Sequence, residues 1–167
     1  MSDAADASEF QAWYRESYRR VLAATRLVTG DPALAEDVVD EAFARAFERW
    51  PRVRAMASPT GWTCVVARNA LRAAQRAARR QEKALRLAGP PATGRPPDMA
   101  VETWDAIRRL PRRQREVIAL RYLAGLTEKE VAKTLGIAPG TVARSLHDAR
   151  RALAQTLGEE TPVEEGT

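Results

Sequence analysis

The chain has 167 residues, of which 45% are hydrophobic and 6% aromatic, and its net charge is +5 at pH 7. The acidic, polar N-terminus is not typical of a signal peptide, and no apolar run approaches the roughly 18–20 residues of a membrane span. A single cysteine excludes an intramolecular disulfide. We therefore expect a cytoplasmic, all-α protein without membrane insertion.

Charge is distributed unevenly along the chain. Residues 31–50 hold six acidic and two basic side chains, whereas residues 51–87 hold nine basic and one acidic. Residues 101–157 hold eleven basic and six acidic side chains, and the tail 158–167 holds four glutamates and no base. Two basic blocks indicate a polyanionic partner that is touched at two places. The acidic block at 31–50 indicates a different partner.

The pattern of the first 88 residues predicts a small helical domain of three helices. The first spans about residues 8–29. The second spans about 31–49 and opens with Asp31 as N-cap, followed by proline in its first turn. A loop at 51–57 then leads to a third helix at about 58–87. Apolar residues recur at three-to-four spacing along each helix, which predicts a buried stripe.

Basic side chains cluster on one face of the third predicted helix. At about 100° per residue they fall within one third of its circumference. They are Arg68, Arg72, Arg76, Arg79, Arg80, Lys83 and Arg86. The ordinary alternative is a solvated face balanced by acidic neighbours, but acids at i±4 are almost absent here. The pattern therefore favours nucleic-acid binding.

The segment 89–98 contains four prolines and two glycines in ten residues, so it cannot continue a helix. We interpret it as a semi-rigid linker to a second helical domain at 99–157. That domain opens with predicted helices at about 99–109 and 111–124. The glutamate-rich tail at 158–167 is predicted to be disordered.

The last part of the second domain has the spacing of a helix-turn-helix. Ala132 is small where two helices cross, Gly136 suits the turn because it tolerates positive φ, and Val142 closes the core. Thr127 with Glu130 predicts a capping box at the start of the first helix. An ordinary helical hairpin with the same spacing is the alternative for this segment taken alone.

The second helix of the pair separates a buried stripe from an exposed face. The stripe consists of Val142, Leu146, Ala149 and Leu153. The opposite face consists of Thr141, Arg144, Asp148, Arg151 and Gln155. Arg144 lies near the centre of that face, within the first turns that a recognition helix inserts into the major groove.

Taken in order, these segments resemble an extracytoplasmic-function (ECF) sigma factor. DVVDEAFARAFERW at 37–50 is similar to the segment with which sigma region two grips the clamp helices of RNA polymerase. Residues 58–80, with the Ala-Arg-Asn run at 67–69, resemble the helix that meets the minus-ten promoter element. Residues 110–153 resemble region four, which recognises the minus-thirty-five element. The resemblance covers about residues 9–157.

The resemblance implies three groups of contact residues. Polymerase contacts are expected from Asp37, Asp40, Glu41, Phe43 and Phe47. Minus-ten contacts are expected from Arg52, Arg54, Met56, Trp62, Arg68, Asn69, Arg72, Arg76, Arg79 and Arg80. Minus-thirty-five contacts are expected from Thr127, Lys129, Thr141, Arg144, Ser145, His147, Asp148 and Arg151. The recognition helix departs from the family pattern at Ala138, Ala143 and Asp148.

The mechanism implied is binding and not catalysis. The sequence has no Gly-rich phosphate loop and no Cys/His ligand cluster, so we expect no enzyme activity, cofactor, metal or small-molecule substrate. The expected partners are core RNA polymerase and promoter DNA, as duplex and as non-template single strand. An anti-sigma factor is left open as a further partner. The alternative is a helix-turn-helix regulator that binds DNA without polymerase, which would not need the segment 37–50 or the basic third helix.

Overall fold

The computed structural model describes residues 2–82, 95 and 99–159, and every regular element in this part of the chain is helical. The α-helices are α1 (Ser2–Thr29), α2 (Pro32–Glu48), α3 (Trp50–Val53), α4 (Pro59–Glu82), α5 (Val101–Arg109), α6 (Arg112–Ile118), α7 (Glu128–Leu135) and α8 (Pro139–Glu159). The predicted all-α fold is confirmed. None of the described helices combines the length and apolar character needed to cross a membrane.

The boundary between α1 and α2 follows the predicted signals. Asp31 is the N-cap of α2, and its side chain accepts a hydrogen bond from the Leu34 N–H at 3.1 Å. Gly30 ends α1 with a φ of +70°, a conformation that glycine adopts without steric cost. At its other end α1 begins at Ser2, earlier than the predicted start near residue 8, because residues 2–7 contain neither glycine nor proline.

The segment 51–57, predicted to be a loop, begins with one turn of helix. This turn is α3, and its proline occupies the first turn, where no intrahelical N–H bond is lost. Trp50 and Val53 are buried, at 3% and 0% relative exposure. Burial of these two side chains against α1 therefore fixes where the rest of the loop lies.

Helix α4 begins where Ser58 accepts a hydrogen bond from the Gly61 N–H at 3.1 Å. Its core-facing side is formed by Cys64, Ala67 and Leu71, which are all buried. The predicted continuation at 83–87 lies outside the described residues.

The sequence predicted one regular helix over about residues 111–124. Helix α6 instead ends as a regular α-helix at Ile118. It passes into a π-helical turn, Ala119–Leu123, in which the Ala124 N–H donates to the Ala119 carbonyl at 3.0 Å. Gly125 follows with a φ of +73° and ends the element. The Arg20 side chain of α1 lies directly over Gly125, where a Cβ atom would overlap the guanidinium.

The helix-turn-helix is formed by α7 and α8 as predicted. The Thr127 hydroxyl accepts from the Glu130 N–H at 3.3 Å, and the Glu130 carboxylate accepts from the Thr127 N–H at 2.7 Å, completing the capping box. Gly136 has a φ of +66° at the turn. Val142 and Leu146 of α8 are buried at 0% and 1%.

The two predicted domains share one continuous core in this structure. Helix α4 packs against α7, and α1 packs against α5, α6 and the π-helical turn. Leu71 from the first half and Leu135 from the second belong to the same buried cluster. Of the predicted linker only Arg95 is described. Helix α8 extends to Glu159, so the predicted tail begins as helix, and residues 160–167 lie outside the described residues.

Candidate polymerase and nucleic-acid interfaces

The exposed face of α2 is acidic. Asp37, Asp40 and Glu41 are all exposed, as the resemblance implied. Asp40 accepts a hydrogen bond from the Tyr18 hydroxyl at 2.6 Å, and Glu41 pairs with Arg45 one turn later. Burial, together with this hydrogen bond to Asp40, raises the pKa of Tyr18. Within the described part of the chain Asp37 makes no ion pair, so its charge is available to a partner.

Two phenylalanines of α2 were predicted to contact polymerase, and the structure separates them. Phe47 is 56% exposed and lies beside a shallow groove that Phe10 and Tyr14 of α1 also line. Phe43 is only 2% exposed, because α1 covers it and its ring stacks against Trp13 at a centroid distance of 5.0 Å. Direct contact between Phe43 and a partner is therefore excluded in this arrangement. Phe43 instead packs between α2 and α1.

An aromatic cluster fixes the position of the loop after α2. The rings of Trp50 and Trp13 are 4.9 Å apart, and Phe10 meets Trp50 edge-on at 5.2 Å. The Trp13 Nε1 donates to the hydroxyl of Thr60 at 3.3 Å, which joins α1 to the start of α4. Trp62 packs half-buried against the same cluster, so the structure places it as a support of the loop.

The loop itself presents three of the predicted minus-ten residues to solvent. Arg52 is exposed, and Met56 is 39% exposed. The Arg54 guanidinium is held by α1, donating to Glu9 at 2.9 Å and lying 3.6 Å from Asp6. An incoming phosphate or base at Arg54 would have to compete with these carboxylates.

Helix α4 carries the strongest cationic surface. Arg76, Arg79 and Arg80 are exposed, Asn69 is exposed beside them, and Arg72 is half-buried. In the part of the chain that the structure describes, Arg72, Arg76 and Arg79 make no ion pair. Arg72, Arg76, Arg79 and Arg80 therefore form a cationic surface, whereas the predicted members Lys83 and Arg86 lie outside the described residues.

Arg68 occupies a different environment from the other arginines of α4. Its guanidinium donates to the carbonyls of Thr134 and Leu135, at 3.3 and 3.4 Å, at the C-terminal end of α7. Burial and the charge of Arg72 lower its pKa. At about 100° per residue Arg68 lies only about 40° from the core residue Cys64, which explains its inward position. In this arrangement Arg68 joins the two halves and does not belong to the open basic face.

The recognition helix α8 is accessible along its predicted face. Thr141, Arg144, His147 and Arg151 are exposed, whereas Ser145 and Asp148 are half-buried at its edge. On α7, Lys129 is exposed. The Thr127 hydroxyl is engaged in the capping box, as described above. The side chains with a clear path to a DNA groove are thus mainly those of α8.

The capping box of α7 is also linked to the first half of the chain. Burial raises the pKa of Glu130, but hydrogen bonds from Ser58 and Thr127 to the carboxylate outweigh it, so the net shift is downward. Ser58 immediately precedes α4 and accepts a hydrogen bond from its first turn. One carboxylate therefore contacts the residues that directly precede both the basic helix and the helix-turn-helix.

Some features of the surface were not predicted. Arg112 and Arg113 at the start of α6 face α4 across a cleft and pair with Glu116. Arg150 of α8 donates to the Tyr122 hydroxyl at 2.8 Å. The pairs with Glu116 are local, at i,i+3 and i,i+4, but the cleft and the contact between Arg150 and Tyr122 depend on helices that are distant in sequence, so no local pattern predicts them. Among the described residues no group of His, Cys, Asp or Glu could hold a metal ion.

A small apolar cavity lies where the two halves meet. Its accessible volume is about 40 Å³, and its walls include Cys64 and Leu71 of α4 and Leu135 of α7. Burial raises the pKa of the Cys64 thiol to about 12. Space of this size between the two halves is enough for a few water molecules.

Comparison with known protein families covers both halves. Residues 13–81 match the family described as Sigma-70 region 2, and residues 100–153 match Sigma-70, region 4. The ECF RNA polymerase sigma factor SigL of Mycobacterium tuberculosis is 35% identical over 164 residues, covering 93% of each chain. The RNA polymerase sigma-E factor of Streptomyces coelicolor is 29% identical and covers 89% of this chain and 86% of that protein.

Solved structures show the same fold. The sigma factor RpoE of Bartonella quintana, solved in complex with the anti-sigma factor NepR, matches with a TM-score of 0.73 at 21% identity. That match covers 92% of this chain and 99% of RpoE. CnrH, in complex with the cytosolic domain of CnrY, matches with a TM-score of 0.61 over 95% of this chain and 96% of its own. Both sigma regions are present in order, and SigL is 35% identical along 93% of this chain. The chain therefore belongs to the ECF RNA polymerase sigma factors of the sigma-70 family.

Proposed function

We propose that the chain directs core RNA polymerase to promoters through three separate surfaces. As a member of its family it is a transcription initiation factor, and the residue assignments below are our own. The observation that carries them is the unpaired arginine face of α4, in a chain whose second half holds an accessible helix-turn-helix. It acts where bacterial polymerase acts, in the cytoplasm, and its part in initiation is binding.

The acidic face of α2 is the proposed polymerase contact. Asp37 offers an unpaired carboxylate, and Phe47 offers an exposed apolar ring beside the groove of α1. A surface that combines unpaired charge with one exposed aromatic anchor suits a protein partner. Asp40 and Glu41 already have intramolecular partners, so we expect them to contribute less than Asp37 to polymerase binding.

The loop after α3 and the basic face of α4 are the proposed minus-ten contacts. Arg72, Arg76 and Arg79 are spaced one turn apart or less, so that they can follow the phosphates of one strand. Met56 is exposed in the loop and is suited to apolar contact with an unstacked base. Release of Arg54 from Glu9 would add one further cation to this surface.

The exposed face of α8 is the proposed minus-thirty-five contact. Arg144 can meet a guanine through two parallel hydrogen bonds, and Thr141 can contact a base methyl group or a phosphate. Reconstituted transcription tests the function as a whole. The purified chain is added to core polymerase on a library of genomic promoters, and run-off products are sequenced. We expect products that share two elements at a constant spacing.

A DNA-binding regulator that works without polymerase is the second candidate. It predicts retention of the chain on promoter duplex but no co-purification with core polymerase. Because RpoE and CnrH were solved with protein partners, we also propose that this chain binds an anti-sigma factor.

A further inference from the structure

A cleft lined mainly by arginines opens between α4 and α6. Its lining consists of Arg72, Gln75, Arg76, Arg79, Arg112, Arg113 and Glu116. Its volume is about 510 Å³, within the range of about 300–1,000 Å³ that is typical of small-ligand sites. The two walls come from the two halves of the chain, so the cleft exists only while those halves are packed together.

The charge of this cleft is strongly unbalanced. Glu116 is 8% exposed and already receives hydrogen bonds from Arg112 at 3.1 Å and Arg113 at 3.3 Å. The three arginines on the α4 wall make no ion pair with any of the residues whose side chains the structure describes. Like charges that line one cleft repel one another unless an anion lies between them. The cleft is therefore built to favour a compact ligand with several negative charges.

The promoter surface assigned above does not account for this cleft. Arg112 and Arg113 form its α6 wall and are not part of the basic face of α4. An occupant that contacts both walls must therefore carry its negative charges closely spaced.

We propose that the cleft binds a short linear phosphate chain, either free or as part of a nucleotide. Guanidinium groups bind phosphate oxygens through paired, charge-assisted hydrogen bonds, and here they are available on two opposed walls. A bound phosphate chain would bridge α4 and α6. It would stabilise the packed arrangement of the two halves and compete with promoter DNA for the arginines of α4.

Calorimetric titration of the full-length chain with tripolyphosphate tests the site directly. Orthophosphate at matched ionic strength is the first reference, and we expect it to bind much more weakly. ATP separates the two sources of the ligand. Equal affinity for ATP and tripolyphosphate supports recognition of the phosphate chain in nucleotides, and binding of tripolyphosphate alone supports a free chain. Binding of neither overturns the proposal.

Matched variants locate the binding. Arg76→Gln and Arg113→Gln alter one wall each, and Arg19→Gln removes an exposed arginine of α1 outside the cleft. We expect each cleft variant to bind tripolyphosphate about tenfold more weakly, the effect of losing one charge-assisted hydrogen bond. Arg19→Gln should bind as the parent does. Equal affinities in all three variants would refute the site. Because Arg113 also pairs with Glu116, the folding of each variant is checked by thermal unfolding. If Arg113→Gln does not fold, the affinity of Arg76→Gln alone decides whether the cleft binds tripolyphosphate.

Competition with DNA provides a second readout. A fluorescent promoter duplex is titrated with tripolyphosphate, with sodium sulfate at equal ionic strength as reference. Tripolyphosphate should displace the duplex at lower concentration from the parent than from Arg113→Gln. If the two proteins lose the duplex at the same concentration, the effect is ordinary screening and the proposal fails.

Discussion

Arg144 is the side chain of α8 best placed to determine which base is recognised. It is exposed one turn after Pro139, at the centre of the face opposite the buried Val142. A bidentate contact to guanine contributes roughly 1–3 kcal/mol of discrimination. We therefore expect Arg144→Ala to relax the preference at one position of the minus-thirty-five element, measured by selection from a promoter library. Unchanged preferences at every position would limit Arg144 to a phosphate contact.

A substitution at Asp148 is the comparison for Arg144→Ala. It is half-buried on the same helix, and on the proposed mode of binding it would place an acid near the DNA backbone. Asp148→Arg replaces repulsion with attraction toward phosphates, so it should tighten binding to all library members alike. The same selection separates the two effects, because one changes the sequence preference and the other changes only overall affinity.

Glu130 should make the stability of the chain depend on pH. Its pKa is lowered in the folded state, so its contribution is present above the unfolded value near 4.5 and is lost as the pH falls through the folded value. Glu130→Gln should therefore reduce the free energy of unfolding at pH 7 and have little effect at pH 3. Urea denaturation of both proteins at the two pH values measures this. A constant difference would show that the charge of Glu130 contributes nothing.

Among the helices, α2 is predicted to hold polymerase. Replacing Asp37 and Glu41 with lysine reverses the charge of its exposed face without touching the core. We expect weaker co-purification with core polymerase and unchanged helical content by circular dichroism. The control is Glu102→Lys with Asp105→Lys on α5, which changes the net charge equally at two exposed positions elsewhere. If core polymerase retains the two double variants equally, the assignment of the α2 face as the polymerase contact is wrong.

Helix α4 is predicted to contact phosphates through Arg72, Arg76 and Arg79. Replacing all three with alanine should lower the yield of open complex and flatten its dependence on salt. Each lost phosphate contact reduces the slope of log K against log salt by about 0.7–0.9. The control replaces the exposed Arg15, Arg19 and Arg49 instead. If both triple variants have the parent's slope, the arginines of α4 form only a solvated surface.

Local signals made most elements predictable from the sequence. The Asp31 cap, the Thr127–Glu130 capping box and the Gly136 turn each depend on residues within a few positions, and all are found. The π-helical turn after α6 was missed because no residue pattern distinguishes it from α-helix. Contact residues were less predictable. Phe43 and Phe47 lie on the same apolar stripe, and only the position of α1 decides that one is buried and the other exposed.

Contacts between the halves could not be predicted at all. Arg68 belongs to a continuous basic face in the sequence, yet its guanidinium reaches carbonyls 66 and 67 residues away. The arginine cleft likewise depends on how α6 is placed against α4. A helical-wheel pattern defines the direction of a side chain within its helix, and it carries no information about which helix lies in that direction.

At the scale of the whole molecule, the packed arrangement cannot serve both promoter elements at once. The two elements are about 25 base pairs apart, which is about 85 Å at roughly 3.4 Å per pair. A compact chain of 167 residues has a radius of gyration of only about 15 Å. We therefore expect α4 and α8 to reach their elements only after the shared core has separated.

Leu135 is the residue through which that separation can be tested. It is 5% exposed and packs with the apolar side chains of α4 across the cavity. Leu135→Ala removes about 2–5 kcal/mol of packing, so it should raise the population of extended molecules and the radius of gyration from small-angle X-ray scattering. Leu153→Ala, within α8, is the control and should leave the radius unchanged. An equal radius in both variants would contradict a separable core.

The position of Cys64 gives this molecule an intrinsic reporter of domain separation. It is the single cysteine of the chain, it is 4% exposed, and its raised pKa of about 12 leaves almost no thiolate at neutral pH while the halves are packed. Separation would return the sulfur to water and its pKa toward 9.0, where alkylating reagents attack far faster. The alkylation rate of the unmodified protein would therefore measure how often it opens, without an added label.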